Sequence, residues 1–163
     1  MRTTKVISYV SLLVFIAILI TATIFKIQLN QRCLGHLKRA ADANTIELAL
    51  SEMNIAIDYL KEKDMTTGYT SILYKTPDED IAFWYNNLVS SRNELLKVQD
   101  ANHFEKTNEL MKLRESLTDT QEGNTILTYP NGLHKYPHNL LFCLIISISS
   151  LMFIIFKGID VIL

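Results

Sequence analysis

The sequence predicts an all-α membrane protein in which two transmembrane helices flank a long antiparallel helical hairpin. Two long uncharged apolar runs, residues 6–25 and 140–156, lie near opposite ends of the 163-residue chain. Between them, apolar residues recur at steps of three and four, which is the spacing of an amphipathic helix. Because each long helix would bury only one face, two hairpins could complete a four-helix bundle as a dimer.

The first apolar run has 20 residues without a charge. At ~1.5 Å per residue, this length matches a hydrocarbon core ~30 Å thick. A cleaved signal peptide is the alternative, because Arg2 and Lys5 give the chain a basic start. Its apolar region would be ~7 to 15 residues long and followed by a small-residue cleavage site, and the following KIQLNQRC offers no such site. We therefore expect a cytoplasmic tail at residues 1–5 and a retained transmembrane helix at residues 6–26.

The second apolar run has 17 residues without a charge, which is within the range of a spanning helix. A buried helix of a soluble core is the alternative, but a soluble domain of this length would not need two such runs at opposite termini. We expect a transmembrane helix at residues 140–157, a cytoplasmic tail at residues 158–163 and no output domain beyond it. The run contains three serines that suit contacts between helices: Ser147, Ser149 and Ser150.

The charges that flank the two runs predict that both termini lie in the cytoplasm. Arg2 and Lys5 precede the first run and Lys157 follows the second, and short cytoplasmic segments are rich in Lys and Arg. The central domain, residues 27–139, would then be extracytoplasmic, and we interpret the membrane as a bacterial inner membrane. This domain carries 12 basic and 16 acidic residues. The acidic balance argues against nucleic acid, which needs a concentrated basic face, and leaves no polybasic surface for anionic lipids. The two apolar runs make the lipid bilayer an expected partner.

Residues 28–63 predict one long helix that continues out of the first span. Its apolar positions are Leu34, Leu37, Ala41, Ile46, Leu50, Met53, Ile57 and Leu60. The step of five from Ala41 to Ile46 rotates the buried face, which indicates an irregular bundle instead of a strict coiled coil. Residues 64–76 would form the tip of the hairpin, because Gly68 and its neighbours interrupt the pattern. A helix of ~34 residues is ~50 Å long, so we expect the tip to stand far from the bilayer.

The sequence TPDE predicts the start of the second long helix. Thr76 is a good N-cap, Pro77 suits the first helical position, and Glu79 would complete a capping box. The helix would run over residues 77–118. The alternative is a break around residues 100–103, which would give a three-helix domain within one chain instead of a dimeric bundle. Residues 119–139 contain prolines, glycines and PNG turn chemistry, so we expect an irregular return to the membrane.

Aromatic side chains concentrate at the predicted tip and just after it: Tyr69, Tyr74, Phe83, Trp84 and Tyr85. One interpretation is a plug that closes the apolar end of a helical bundle. The other is an interaction surface, because Tyr and Trp combine a large area with a polar group and are common at binding hot spots. The two interpretations are compatible, and we take these five residues as the candidate interaction surface.

Other candidate chemistry is sparse. The acids at residues 78–80 suit the first turn of a helix, and Pro137 separates His134 from His138 in a segment too irregular for a helical metal site. The sequence contains no GxSxG, HExxH, CxxC or phosphate-binding glycine loop. Cys33 could bridge two copies, although a free thiol is the expected state. We therefore predict a non-enzymatic protein without catalytic residues, metal or cofactor.

The layout of a span, an outer helical hairpin and a second span resembles the four-helix-bundle sensor modules of bacterial chemoreceptors and histidine kinases. In those families the signal passes to a domain after the second span, whereas this sequence ends soon after it. We therefore expect a membrane-anchored interaction or scaffold subunit of a larger membrane or envelope assembly, whose partners are other membrane proteins or further copies of itself. The alternative is an extracytoplasmic sensor of a small ligand that acts through a separate output protein.

Overall fold

The computed structural model describes the backbone of residues 2–162 and the side chains of residues 3–160. The described chain is mostly helical, as predicted. Its helices are α1 (Arg2–Leu29), α2 (Gly35–Ala41), α3 (Ile46–Glu62), α4 (Ile81–Lys97), α5 (His103–Leu117) and α6 (Asn139–Ile162), and its strands are β1 (Thr118–Gln121) and β2 (Asn124–Leu127). A π-helical turn, Asn30–Leu34, joins α1 to α2 without a break.

Two helices are long and apolar enough to cross a membrane, which confirms that part of the prediction. One is Thr3–Ala41, which combines α1, the π turn and α2, and the other is Asn139–Asp160 in α6. They pack side by side in antiparallel directions. At one end the Thr4 hydroxyl donates a hydrogen bond of 2.5 Å to Asp160, and at the other end the rings of Phe25 and Phe142 are 5.9 Å apart.

The three serines that the sequence predicted to suit helix contacts differ in burial. Ser149 is buried, whereas Ser147 is exposed and Ser150 is half-buried. Ser8 and Ser11 of α1 are also buried. Small side chains at these positions allow the two backbones to approach closely.

The prediction of one long helix over residues 28–63 is wrong, because the chain turns back at residues 42–45. Helix α2 ends at Ala41, and Thr45 then caps α3 by accepting a hydrogen bond of 3.2 Å from the Leu48 amide. Asp, Asn and Thr side chains compete for backbone hydrogen bonds and favour helix ends over helix interiors. The five-residue step in the apolar pattern therefore marks a reversal of direction, and α3 packs antiparallel against α2.

Helices α2 to α5 form a four-helix bundle within one chain. The helix predicted for residues 77–118 is interrupted at residues 98–102, near the predicted position, and α5 folds back onto α4 and α2. The Arg114 guanidinium donates a hydrogen bond of 2.9 Å to the Ala41 carbonyl, which is one of the unpaired groups at the end of α2. The bundle encloses a core that includes Leu37, Met53, Ile57, Leu60, Ile81 and Leu95. The apolar faces that we expected a second copy to cover thus pack on one another.

The predicted irregular segment at residues 119–139 contains a β-hairpin. Strands β1 and β2 are antiparallel, with Thr118 opposite Leu127. Glu122 and Gly123, at φ 51° and 79°, form the two-residue turn, because paired left-handed residues match the twist of a hairpin. The chain then returns to α6 through a short 3₁₀ turn, Leu133–Lys135, in which Leu133 is buried.

Candidate functional site

The predicted tip, residues 64–76, lies beside the first turn of α6 and not at the far end of the bundle. The Asn139 side-chain amide donates a hydrogen bond to the Thr70 carbonyl, and an alanine at Gly68 would meet the ring of Tyr136. The prediction was wrong because α3 returns toward α6 after the turn at residues 42–45. The connector between α3 and α4 is therefore held at the end of the bundle where the two long apolar helices emerge.

The predicted helix cap is also displaced by one turn. Thr76 makes no side-chain cap to the backbone, and Pro77–Glu79 forms a separate 3₁₀ turn. Helix α4 instead begins at Ile81, and Asp80 caps it by accepting a hydrogen bond of 3.0 Å from the Phe83 amide. The Thr76 hydroxyl donates to the Glu79 carboxylate at 2.6 Å. This bond, followed by one from Ser71, lowers the pKa of Glu79 below its ordinary value.

The five aromatic residues do not form one cluster. Trp84 and Tyr85 are half-buried and pack against the core, as expected for a plug. Phe83 points away from the core and is 65% exposed. Tyr69 is half-buried and lies beneath the Lys75 ammonium, 5.4 Å from its ring centre, and Tyr74 is exposed on the loop before α4.

Phe83 and Trp84 line a groove of about 300 Å³ between the start of α4, the end of α5 and the segment after β2. We call it the aromatic groove. Its buried apolar wall includes Leu88 and Leu117. The Trp84 indole N–H donates a hydrogen bond of 3.1 Å to the Thr128 carbonyl, which attaches the segment after β2 to α4.

The rim of the aromatic groove is acidic. Asp78, Glu79 and Asp80 stand on one side, and the described residues that line it include no lysine or arginine. Three carboxylates beside an apolar surface favour a ligand that combines an apolar group with positive charge. Asp78, Glu79 and Asp80, which we interpreted from the sequence as the first turn of a helix, therefore also give this groove its negative charge.

Glu52 is a charged residue of the core that the sequence interpretation missed. It is 4% exposed, and its carboxylate lies 2.6 Å from His36 Nδ1 and 2.5 Å from Arg39 Nη2. These contacts join α3 to α2. The available signal was the position of Glu52 next to Met53 and on the buried stripe of α3, since a carboxylate in a core needs a basic partner.

Cys33 and His134 occupy sites that disfavour their charged forms. Cys33 is fully buried, and burial raises the pKa of its thiol to about 12. A protonated, enclosed thiol neither reacts readily nor bridges two copies of the folded chain. Burial, followed by Lys135 and Lys26, lowers the pKa of His134. Among the described residues no three His, Cys, Asp or Glu side chains are grouped closely enough to hold a metal ion.

Comparisons with protein families, with curated proteins and with solved structures found no match for this chain.

Proposed function

We propose that the chain is a non-enzymatic integral membrane protein, anchored by α1 and α6, whose helical bundle binds a protein of a larger membrane or envelope assembly. The exposed surface of the two long helices supports the anchoring. Between the charged ends most of their outward side chains are apolar, and Leu13 and Ile154 are 65% and 66% exposed. Two adjacent helices with such surfaces are unfavourable in water and suit the interior of a bilayer.

In this proposal both termini lie in the cytoplasm and the helical bundle lies outside it, in a bacterial inner membrane. The basic residues Arg2, Lys5 and Lys157 support this orientation. Reporter fusions test it: a reporter that works only outside the cytoplasm should be active after Asn102, between α4 and α5, and inactive after Leu163. The opposite pattern reverses the topology.

The observation that supports protein binding most directly is the exposed ring of Phe83 on the aromatic groove. When a partner binds, an exposed aromatic side chain beside a concave apolar surface becomes buried, and such side chains are common hot spots of protein interfaces. The acidic rim, Asp78 to Asp80, favours a partner segment in which basic residues flank an apolar one. Because the bundle stands directly on the two anchoring helices, the partner would be another membrane or envelope protein or a second copy of this chain.

Affinity purification of the full chain in mild detergent tests this proposal. Phe83→Ala should remove the stoichiometric partner, while Phe104→Ala should retain it. Phe104 is a matched control, because it is 74% exposed on α5 and does not line the aromatic groove. A partner that survives Phe83→Ala, or that is lost equally in both variants, argues against docking at the groove.

Sensing of a small ligand is the second candidate function, and the concave shape of the aromatic groove favours it. A volume of about 300 Å³ is at the lower end of the range for small-molecule sites. Trp84, the one tryptophan of the chain, lines the groove and would report occupancy by its fluorescence. A small amphipathic cation that shifts this fluorescence at low concentration, and that no longer does so in Phe83→Ala, would support sensing over protein docking.

A further inference from the structure

The loop between α3 and α4 exposes three consecutive apolar side chains. Its outermost part, residues 71–75 with the sequence SILYK, is called the ILY loop. Ile72 is exposed, and Leu73 and Tyr74 are 83% and 77% exposed. The Ser71 hydroxyl donates a hydrogen bond to the Tyr74 carbonyl, which closes the loop and holds Ile72 and Leu73 at its turn. Large apolar side chains placed together at the turn of a loop imply a surface that covers them.

The position of the ILY loop along α6 indicates what covers it. The preceding residue, Thr70, accepts a hydrogen bond from Asn139, the first residue of α6. Leu73 and Tyr74 line a groove of about 720 Å³ together with Cys143. The uncharged run of α6 begins at residue 140, and Cys143 lies about 5 Å further along the helix at 1.5 Å per residue. The turn of the loop is therefore level with the first turn of the apolar run.

Two lysines and a tyrosine beside the ILY loop follow the pattern of a membrane interface, and one acid, Glu79, also lines the groove. Lys75 stands over the Tyr69 ring at 5.4 Å, and Lys135 lines the same groove as Leu73. Tyrosine is enriched at the level of lipid headgroups. Lysine can lie along an apolar surface while its ammonium group reaches the polar region. An apolar turn with basic residues behind it thus matches a shallow membrane contact.

We propose that the ILY loop inserts into the lipid interface as a third membrane contact, in addition to α1 and α6. This inference rests on the proposed membrane anchoring of these helices. Leu73 and Tyr74 line one groove with Cys143 near the start of α6, so one bilayer covers both. The contact presents the aromatic groove at a constant height above the membrane.

Depth-dependent quenching of an attached fluorophore tests the inference in the full chain reconstituted in vesicles. Cys143→Ala removes the exposed thiol, and Cys33 stays buried and unlabelled. An environment-sensitive probe is then attached at one of three introduced cysteines: Leu73→Cys in the loop, Ile148→Cys on α6 and Asn108→Cys on α5. Ile148 and Asn108 are both exposed, and they provide the membrane and the solvent controls.

The inference predicts that lipids brominated near the headgroup quench the probe at position 73 more strongly than lipids brominated deep in the acyl chain. The probe at 148 should show the reverse order, and the probe at 108 should not be quenched. Quenching at 148 without quenching at 73 overturns the loop contact and leaves the anchoring intact. A blue-shifted but unquenched probe at 73 means that protein covers the loop, which also overturns the inference. Absence of quenching at both 148 and 73 overturns the anchoring as well.

Discussion

The carboxylate of Glu52 lies 2.6 Å from Nδ1 of His36, and this contact joins α3 to α2, which the sequence predicted to be one helix. The distance fits an Nδ1–H that donates to a carboxylate. Arg39 adds a second contact to the same carboxylate at 2.5 Å. Because His36 and Arg39 are on α2 and Glu52 is on α3, the three residues hold the reversed direction of the chain after residues 42–45.

Replacing Glu52 by alanine should destabilise the helical bundle by about 1–3 kcal/mol, because it leaves His36 and Arg39 without their shared acceptor. The measurement is reversible unfolding of the purified protein in detergent. Glu115→Ala is the matched control, since Glu115 is exposed on α5, and its effect should stay within about 0.5 kcal/mol. Equal effects of the two substitutions would contradict a structural role for the Glu52 contacts.

Gly68→Ala should destabilise the connector before α4 by more than Gly123→Ala does. Both glycines have left-handed backbones, with φ of 94° and 79°, so alanine is strained at both positions by about 1 kcal/mol. At Gly68 the added Cβ would also meet the Tyr136 hydroxyl, whereas at Gly123 it would meet nothing within 4 Å.

Thermal unfolding of both variants measures this difference. Adding Tyr136→Phe to Gly68→Ala removes the hydroxyl and should restore part of the lost stability. If the second substitution restores nothing, the contact with Tyr136 is not the cause.

Trp84→Ala should lower the melting temperature, whereas Phe83→Ala should leave it nearly unchanged. Trp84 packs on the core and donates a hydrogen bond to Thr128, so its removal should cost about 1–3 kcal/mol. Phe83 is largely exposed, and its removal should stay within about 0.5 kcal/mol. Differential scanning fluorimetry with an external dye measures both variants. A large loss for Phe83→Ala would show that its ring stabilises the fold.

Acidification should destabilise the protein in part through His134. Burial and the neighbouring Lys135 and Lys26 lower the pKa of His134 in the folded state, so the unfolded state takes up a proton first, near the ordinary value of ~6.5. The contribution of the neutral His134 ring to the free energy of unfolding is present above about pH 6.5 and is lost as the pH falls below that value.

The decrease in melting temperature between about pH 7.5 and pH 5.5 should therefore be smaller in His134→Gln than in the parent. His103→Gln is a suitable control, since His103 is exposed at the start of α5. Parallel pH profiles of the parent and His134→Gln would argue against the linkage.

Much of the candidate site is formed by residues that are distant in sequence, so it could not be predicted from local patterns. The sequence identified Phe83 and Trp84 as candidates and the start of a helix near Pro77. It did not indicate that the segment after β2, which supplies the Thr128 carbonyl, would complete a groove with them. Nothing in the local sequence indicates that Tyr74, in the loop before α4, lines the same groove as Cys143 of α6.

The helical class and the two long apolar helices could be predicted from the sequence alone, because the length and hydropathy of an uncharged run are local properties. The sequence also indicated the interruption near residues 98–102. The tertiary structure alone decided that the chain reverses at residues 42–45, that Glu52 has two basic partners, and that the connector before α4 lies beside Asn139. The relative direction of two helices is fixed when their faces pack together. That packing joins side chains separated by many residues, so it cannot be predicted from a local pattern.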